Sequence, residues 1–211
     1  NYNIPGGLMF DIHPNFQTKV KEFIVHFRKK LPEYDQLMTD NVIFRNRTEG
    51  IGILTKEDAI SYGVTGPTGR ASGWSNDIRK KNPYSAYDRV NFTEIIYAEG
   101  DSFARYKARI QEMWESMHII EQLIDNIPQG EYKEPTKAVI KLPQTEIYQS
   151  VETARGELGV YINSDGKKNP YRVKFRSPGF SNLNALNTMA KGGKIADLVT
   201  IMSTIDLVIP D

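Results

Sequence analysis

The sequence predicts an α+β fold, mainly helical with a small antiparallel β-sheet. Two segments carry the helical part. From Asp101 to Ile127 the residues Phe103, Tyr106, Ile110, Met113, Met117, Ile120, Ile124 and Ile127 recur at steps of three and four. Phe16, Val20, Phe23, Ile24, Phe27 and Leu31 form a second stripe of the same kind. One segment carries the sheet: Tyr171, Val173 and Phe175 alternate with Arg172, Lys174 and Arg176, shortly after an Asp165-Gly166 pair that signals a hairpin.

The chain has 211 residues, 39% of them hydrophobic and 25% charged, with a formal net charge of +1. That supports a real core and gives no electrostatic case for nucleic acid. No apolar run is long enough to span a bilayer, so no transmembrane segment is expected. No secretory signal opens the chain, and its first residue is Asn1, so a piece of a longer protein is expected. There is no cysteine. Disulfides, thiolate nucleophiles and cysteine-held metal centres are therefore excluded within these residues. His13, His26 and His118 are too scattered to suggest a metal site.

In chain order, Asn3 to Gly7 reads as a turn, and Pro14 opens the first helix, over about 14–30. Pro32 interrupts it. A second helix over 33–44, with Tyr34, Leu37 and Met38 inward, completes a helical hairpin, while Lys19, Lys21, Lys29 and Lys30 read as solvated surface. Thr55 caps a short helix that Gly63 closes, with Asp58 at the capping-box position. Gly63, Gly66, Gly69 and Gly73 then make a dense loop. Gly69 is followed by Arg70 rather than Lys-Ser/Thr, so no phosphate cradle is expected, and Gly50-x-Gly52 lacks the third glycine of a dinucleotide fingerprint. Beneath the loop Arg70, Asp77 and Arg79 can form a buried ion network. Tyr84, Tyr87 and Arg89 read as packing.

On the 101–127 helix Arg105, Arg109, Glu112 and Ser116 share a stripe beside the apolar seam. Spacing alone reads it as an exposed ion-pair ladder; the other reading is a polar seam against a partner or cofactor. After Pro135 the pattern becomes strand-like. Ala138 to Leu142 reads as a strand, ETARGELGVYI as a second, and PYRVKFRS as a third, giving a sheet over about 138–177. Ser181 to Ala190 reads as helical, and the Gly192-Gly193 pair breaks it before the tail. There Ile195, Leu198, Val199 and Met202 share a face expected to tuck into a core. Asp206 follows among Ile205, Leu207, Val208 and Ile209, where a lone carboxylate is costly unless paired.

These segments also carry a resemblance. NRTEGIGIL, YGVTGPTGRASG, Asp77-Ile78-Arg79, NPYSAYD, ARYKARIQEMWES, IIEQ, ARGELGVY, SDG, PYRVKFRSPGF and GGKIADLVTIMSTIDLVIPD stand in one order. In them the chain resembles the complex I component related to the nickel–iron hydrogenase large subunit, the D-subunit family of NADH:quinone oxidoreductase, over essentially all its length. The resemblance implies a helical bundle like that large subunit, with 1–130 as its helical part and Gly-rich loop, 131–178 as a small β part and 179–211 as C-terminal helices and a cavity-lining tail. Hydrogenase relatives hold nickel and iron with cysteine pairs. With none here, the resemblance implies the complex I branch, in which that site has become part of a quinone cavity.

The resemblance implies that Asp206 and Val208 match an Asp-x-Val segment lining that cavity. Arg70, Asp77, Arg79, Arg105, Arg109, Glu112, Arg155 and Glu157 would be its supporting polar network. No metal or cofactor is expected on this segment. Quinone is the expected substrate, and NADH and iron–sulfur clusters belong to partner subunits. The expected partners are the iron–sulfur cluster subunit and the membrane arm. The expected place is the cytoplasmic side of the inner membrane, in a proton-translocating complex whose isolated fragment is inactive. Two departures stand out: a shortened segment between Lys133 and Glu152, and Asn76 before Asp77 where relatives carry a tryptophan, with Trp74 nearby. The shortened segment motivates the alternative of a cysteine-free structural or assembly subunit with no redox role. Taken without its upstream half, the segment is expected to expose seam residues, to dimerise or to show a disordered loop over 63–82.

Overall fold

The computed structural model describes residues 2–137 and 139–208. A two-residue pair, β1 (Asn3–Ile4) against β2 (Gly7–Leu8), starts the chain. Helix α1 runs Phe16–Tyr34, straight through Pro32. Proline lacks an N–H and disturbs the preceding turn, yet the helix does not stop: the chain loosens into a π turn over Asp35–Thr39. The expected helix over 33–44 is therefore absent as a unit. Tyr34, Leu37 and Met38 are exposed, not inward. A separate short helix, α2 (Val42–Asn46), starts at Asn41, whose side chain accepts from the Ile43 and Phe44 amides. The hairpin partner of α1 is instead the long helix α6 (Ser102–Leu123). Ile24, Leu31 and Met117 meet there, with Val20, Phe27 and Trp114 around them.

Between these helices lie α3 (Lys56–Ser61), α4 (Gly66–Arg70) and α5 (Ile78–Lys81). Thr55 caps α3 by accepting from the Asp58 amide, as its sequence predicts. The glycine-dense loop is ordered: α4 is buried along its whole length, against the expectation of disorder over 63–82.

The sheet comprises β3 (Thr145–Thr153), β4 (Gly156–Ser164) and β5 (Arg172–Arg176), antiparallel in that order. Residues 139–142 form no strand, and Ala138 lies outside the described residues. The stretch expected as one strand, ETARGELGVYI, is a hairpin that turns at Ala154-Arg155, because Thr153 pairs with Gly156. The second hairpin, marked by Asp165-Gly166, joins β4 to β5. Tyr171, Val173 and Phe175 do alternate with basic residues, but all three are exposed.

The chain ends in α7 (Pro178–Asn184), α8 (Leu186–Ala190) and α9 (Ile195–Ile205), so the helical stretch expected from Ser181 to Ala190 divides at Ala185. The Gly192-Gly193 break is where the sequence puts it. The buried face of α9 is not the expected one. Ile201 and Ile205 enter a core with Leu54, Ala59, Val64, Ala185 and Met189. Ile195, Leu198, Val199 and Met202 are exposed, Ile195 at 91%.

Candidate functional site

The site is built where α4 crosses the β3–β4 turn. Gly66 has φ +69°, and a Cβ there would overlap the Arg155 carbonyl oxygen. Gly156 has φ +135°, and a Cβ there would meet the Thr65 hydroxyl at 2.6 Å. Only glycine allows both left-handed backbone and so close a crossing. The Asn182 side chain ties the crossing from beneath, accepting from the Thr65 amide and donating to the Arg155 carbonyl.

The crossing sets Arg70, the last residue of α4, against α6 and β3. Its guanidinium is 1% exposed. Nε and Nη2 donate to Glu112 Oε1 at 2.9 and 2.7 Å, and Nη1 donates to Glu152 Oε1 at 2.7 Å. Burial works against the Arg70 cation, but Glu112 and Glu152 outweigh it and its pKa rises. Glu152 behaves oppositely. Burial pushes its carboxyl above the usual range, and Arg70 offsets this only in part. Among the described residues its Oε2 receives only the Ile78 amide, at 3.4 Å. Its own amide donates to the Tyr84 hydroxyl at 3.0 Å.

Asp77 caps α5 by accepting from the Arg79 amide. Its carboxylate also takes the Arg79 guanidinium, at 2.9 Å to Nε and 2.5 Å to Nη2. Burial alone would raise the Asp77 pKa; Arg79, then Arg70, bring it below the ordinary value. Arg79 also stacks over Phe92 at 4.9 Å.

On α6 Arg105, Arg109 and Glu112 turn inward while Ser116 stays exposed, so the exposed ladder read from the spacing is corrected for the first three. Arg105 is fully buried. Among the described residues it has no carboxylate partner and donates instead to the carbonyls of Gly52 and Gly100 and the hydroxyls of Ser102 and Thr204. Burial pulls its pKa down to about 10. One turn on, Arg109 donates from Nη1 to the Arg105 carbonyl at 3.0 Å. Its Nε and Nη2 are buried and have no hydrogen-bond partner among the described residues. Burial lowers the Arg109 pKa, although Asp206 and Glu112 act against the change.

Asp206 ends α9 in the left-handed conformation, φ +58°. Its carbonyl accepts from Arg155 Nε at 3.0 Å, and its Oδ2 lies 3.4 Å from the same nitrogen. Asp206, Arg109, Glu112, Arg70, Arg79 and Glu152, with Tyr87, Met113 and the β3–β4 turn, line a charged chamber of about 410 Å³ that opens to solvent. Val208 is partly buried and does not line it. Glu157 faces elsewhere, accepting from the Tyr148 hydroxyl at 2.9 Å near Arg176. Glu157 thus sits with Tyr148 and Arg176, while Arg155 holds Asp206.

Of the predicted residues the structure brings together Asp206, Arg155, Arg109, Glu112, Arg70, Asp77 and Arg79. Arg105 supports from behind. Glu152 is a site residue that the sequence does not single out, and Tyr84, which its pattern assigns to packing, holds the Glu152 backbone. No local pattern marks it: Glu152 stands between Val151 and Thr153 in a mixed stretch. Among the described residues no cluster of three or more His, Cys, Asp or Glu is placed to hold a metal ion, and no helix is long and apolar enough to cross a membrane.

Comparison with known proteins gives one family. The model of the respiratory-chain NADH dehydrogenase 49 Kd subunit matches residues 1–142 and 133–211. The NADH-quinone oxidoreductase C/D-subunit of Phocaeicola vulgatus is 54% identical over 211 residues, all of this chain and 41% of that protein. The NADH-quinone oxidoreductase D-subunit of Desulfotalea psychrophila is 44% identical over 207 residues, 98% of this chain and 56% of that protein. Among solved structures, a chain of the membrane-bound sulfane sulfur reductase, an archaeal respiratory membrane complex, superposes with a TM-score of 0.92 at 35% identity. The match covers all of this chain and 58% of that one. The chain thus spans 41% to 58% of the length of these relatives.

Proposed function

The chain belongs to the family of the respiratory-chain NADH dehydrogenase 49 Kd subunit, and from that membership we propose that it forms scaffold and one wall of a quinone-binding cavity in a proton-translocating NADH:quinone oxidoreductase. The observation that carries the reading is the position of Asp206. It is the carboxylate of the matched Asp-x-Val segment, it is 43% exposed at its side chain, and it stands at the edge of the charged chamber. A carboxylate so placed can set the field at a quinone head group and exchange protons with it. Val208, two residues further along the tail, does not line the chamber, so the reading rests on Asp206. Arg155 holds the Asp206 backbone and side chain at once, which fixes the direction of the carboxylate.

In this reading electrons come from NADH through iron–sulfur clusters held by partner subunits, and the chain itself holds neither. It docks on the iron–sulfur cluster subunit and the membrane arm, on the cytoplasmic side of the membrane. The fragment alone lacks the other cavity walls and is inactive. An assembly component with no redox role, the other reading, draws no support from relatives that are oxidoreductase subunits.

The test is Asp206→Asn in the intact complex. Quinone reductase activity falls further than the amount of assembled complex, and the response to quinone-site inhibitors changes. Wild-type turnover with an unchanged inhibitor response rejects the role.

A further inference from the structure

The charged chamber contains more than a quinone wall requires. Its three carboxylates grade in side-chain exposure, from Glu152 at 3% through Glu112 at 18% to Asp206 at 43%. Glu152 is anchored by one oxygen. Oε1 holds Arg70 at 2.7 Å, while Oε2 has only the long contact to the Ile78 amide among the described residues. A proton on Oε2 leaves the Arg70 bond intact. The second observation is Arg109. Two of its buried nitrogens, Nε and Nη2, have no partner among the described residues, and the residue lines the same chamber. Buried donors are almost always satisfied, and a polar space of about 410 Å³ accommodates the waters that satisfy them. Glu152 and Asp206 both line that space.

We propose that Glu152 is a buried proton store for the quinone site, exchanging its proton with Asp206 through chamber water. The inference rests on the quinone-cavity reading. Reduction of the quinone takes two electrons, from an iron–sulfur centre held by a partner, and two protons. One proton follows this route. The O–H bond on Glu152 breaks, its proton passes along water to the Asp206 carboxylate and on from there to the reduced quinone oxygen, where the new O–H bond forms and Asp206 is again a carboxylate. Glu152 is left as an anion beside Arg70, and solvent water reprotonates it after quinol leaves. The second proton comes from solvent. The groups that face Glu152 are Arg70 on α4, Asp77 and Arg79 at the start of α5, Tyr84 beyond it, and Glu112 on α6, which shares Arg70 with it. Burial already pushes the Glu152 carboxyl upward, toward the range a store must have.

The experiment is turnover of the intact complex against pH, with assembly and the solvent deuterium isotope effect measured beside it. Glu152→Gln lowers quinone turnover about tenfold or more below the alkaline limb, where the wild-type store holds its proton, removes that limb, raises the isotope effect and leaves inhibitor affinity unchanged. Glu152→Asp recovers the wild-type profile. Glu112→Gln provides a second route should Glu152→Gln assemble poorly. It leaves Arg70 wholly to Glu152, favours the Glu152 anion, and moves the alkaline limb to lower pH. A wild-type profile in both glutamine variants, or a loss equal at every pH that aspartate does not rescue, overturns the store. If Asp206→Asn impairs turnover while Glu152→Gln does not, only the store fails. If neither changes turnover or inhibitor response, the quinone reading fails with it.

Discussion

Arg70 Nη1 donates to Glu152 Oε1 at 2.7 Å across 82 residues of chain, with both side chains almost wholly buried. This bond couples the helical part to the sheet. Breaking a buried pair from one side leaves an uncompensated charge, at a cost of about 3–5 kcal/mol. Arg70→Met strands Glu112 and Glu152 together. It is expected to reduce assembled complex sharply and to lower its thermal transition. A variant that assembles and melts as wild type would show the hub to be dispensable.

Gly66→Ala tests the crossing itself. The new Cβ falls on a backbone oxygen, and the residue has φ +69°. Left-handed backbone at alanine alone costs about 1–2 kcal/mol, and the Arg155 turn must also shift. Because Arg155 holds Asp206, quinone turnover per assembled complex is expected to fall as well. Activity measured against assembled protein separates the two effects.

Asp206→Asn and Asp206→Ala should differ. Asparagine tolerates the left-handed conformation at φ +58° and alanine does so poorly. Both remove the carboxylate, so both lower quinone turnover. Only alanine adds about 1 kcal/mol or more of backbone strain, seen as a lower melting temperature than that of the asparagine variant.

The buried carboxylates respond oppositely to pH. Asp77 is held below its ordinary value of 3.8, so its stabilisation is present above that value and is lost as pH falls through its lowered pKa. Glu152 is raised above 4.5, so its contribution is present below 4.5 and is lost as pH rises through its raised pKa. Melting temperature against pH reads both. Asp77→Asn flattens the acid limb, and Glu152→Gln removes the loss above 4.5. An unchanged curve in either variant contradicts the corresponding sign.

Legibility followed the range of the interaction. The Asp101–Ile127 stripe, the Thr55 cap, the Gly192-Gly193 break and the Asp165-Gly166 hairpin are local signals, and each has its counterpart in the fold. The polar stripe on α6 defeated the same method. Its three- and four-residue spacing is common to an exposed ladder and a buried seam, and Arg105 is fully buried. Pro32 failed as a stop because a π turn absorbs the disturbance. The β3–β4 turn was missed because Ala154-Arg155 carries no strong turn pair, and Gly156 acts through its close contact with Thr65.

The sequence by itself determined the α+β class, the absence of any thiolate chemistry within these residues and the family resemblance, from which the proposed role of Asp206 is drawn. These follow from composition, periodicity and residues read in order. Only the tertiary structure decided that Arg70 belongs to Glu112 and Glu152, that Arg109 has donors to spare among the described residues, and that α9 buries Ile201 and Ile205 rather than Ile195 and Val199. The physical reason is that a charge finds its partner through the crossing of distant backbones. Here two glycines permit that crossing, and no local pattern encodes it.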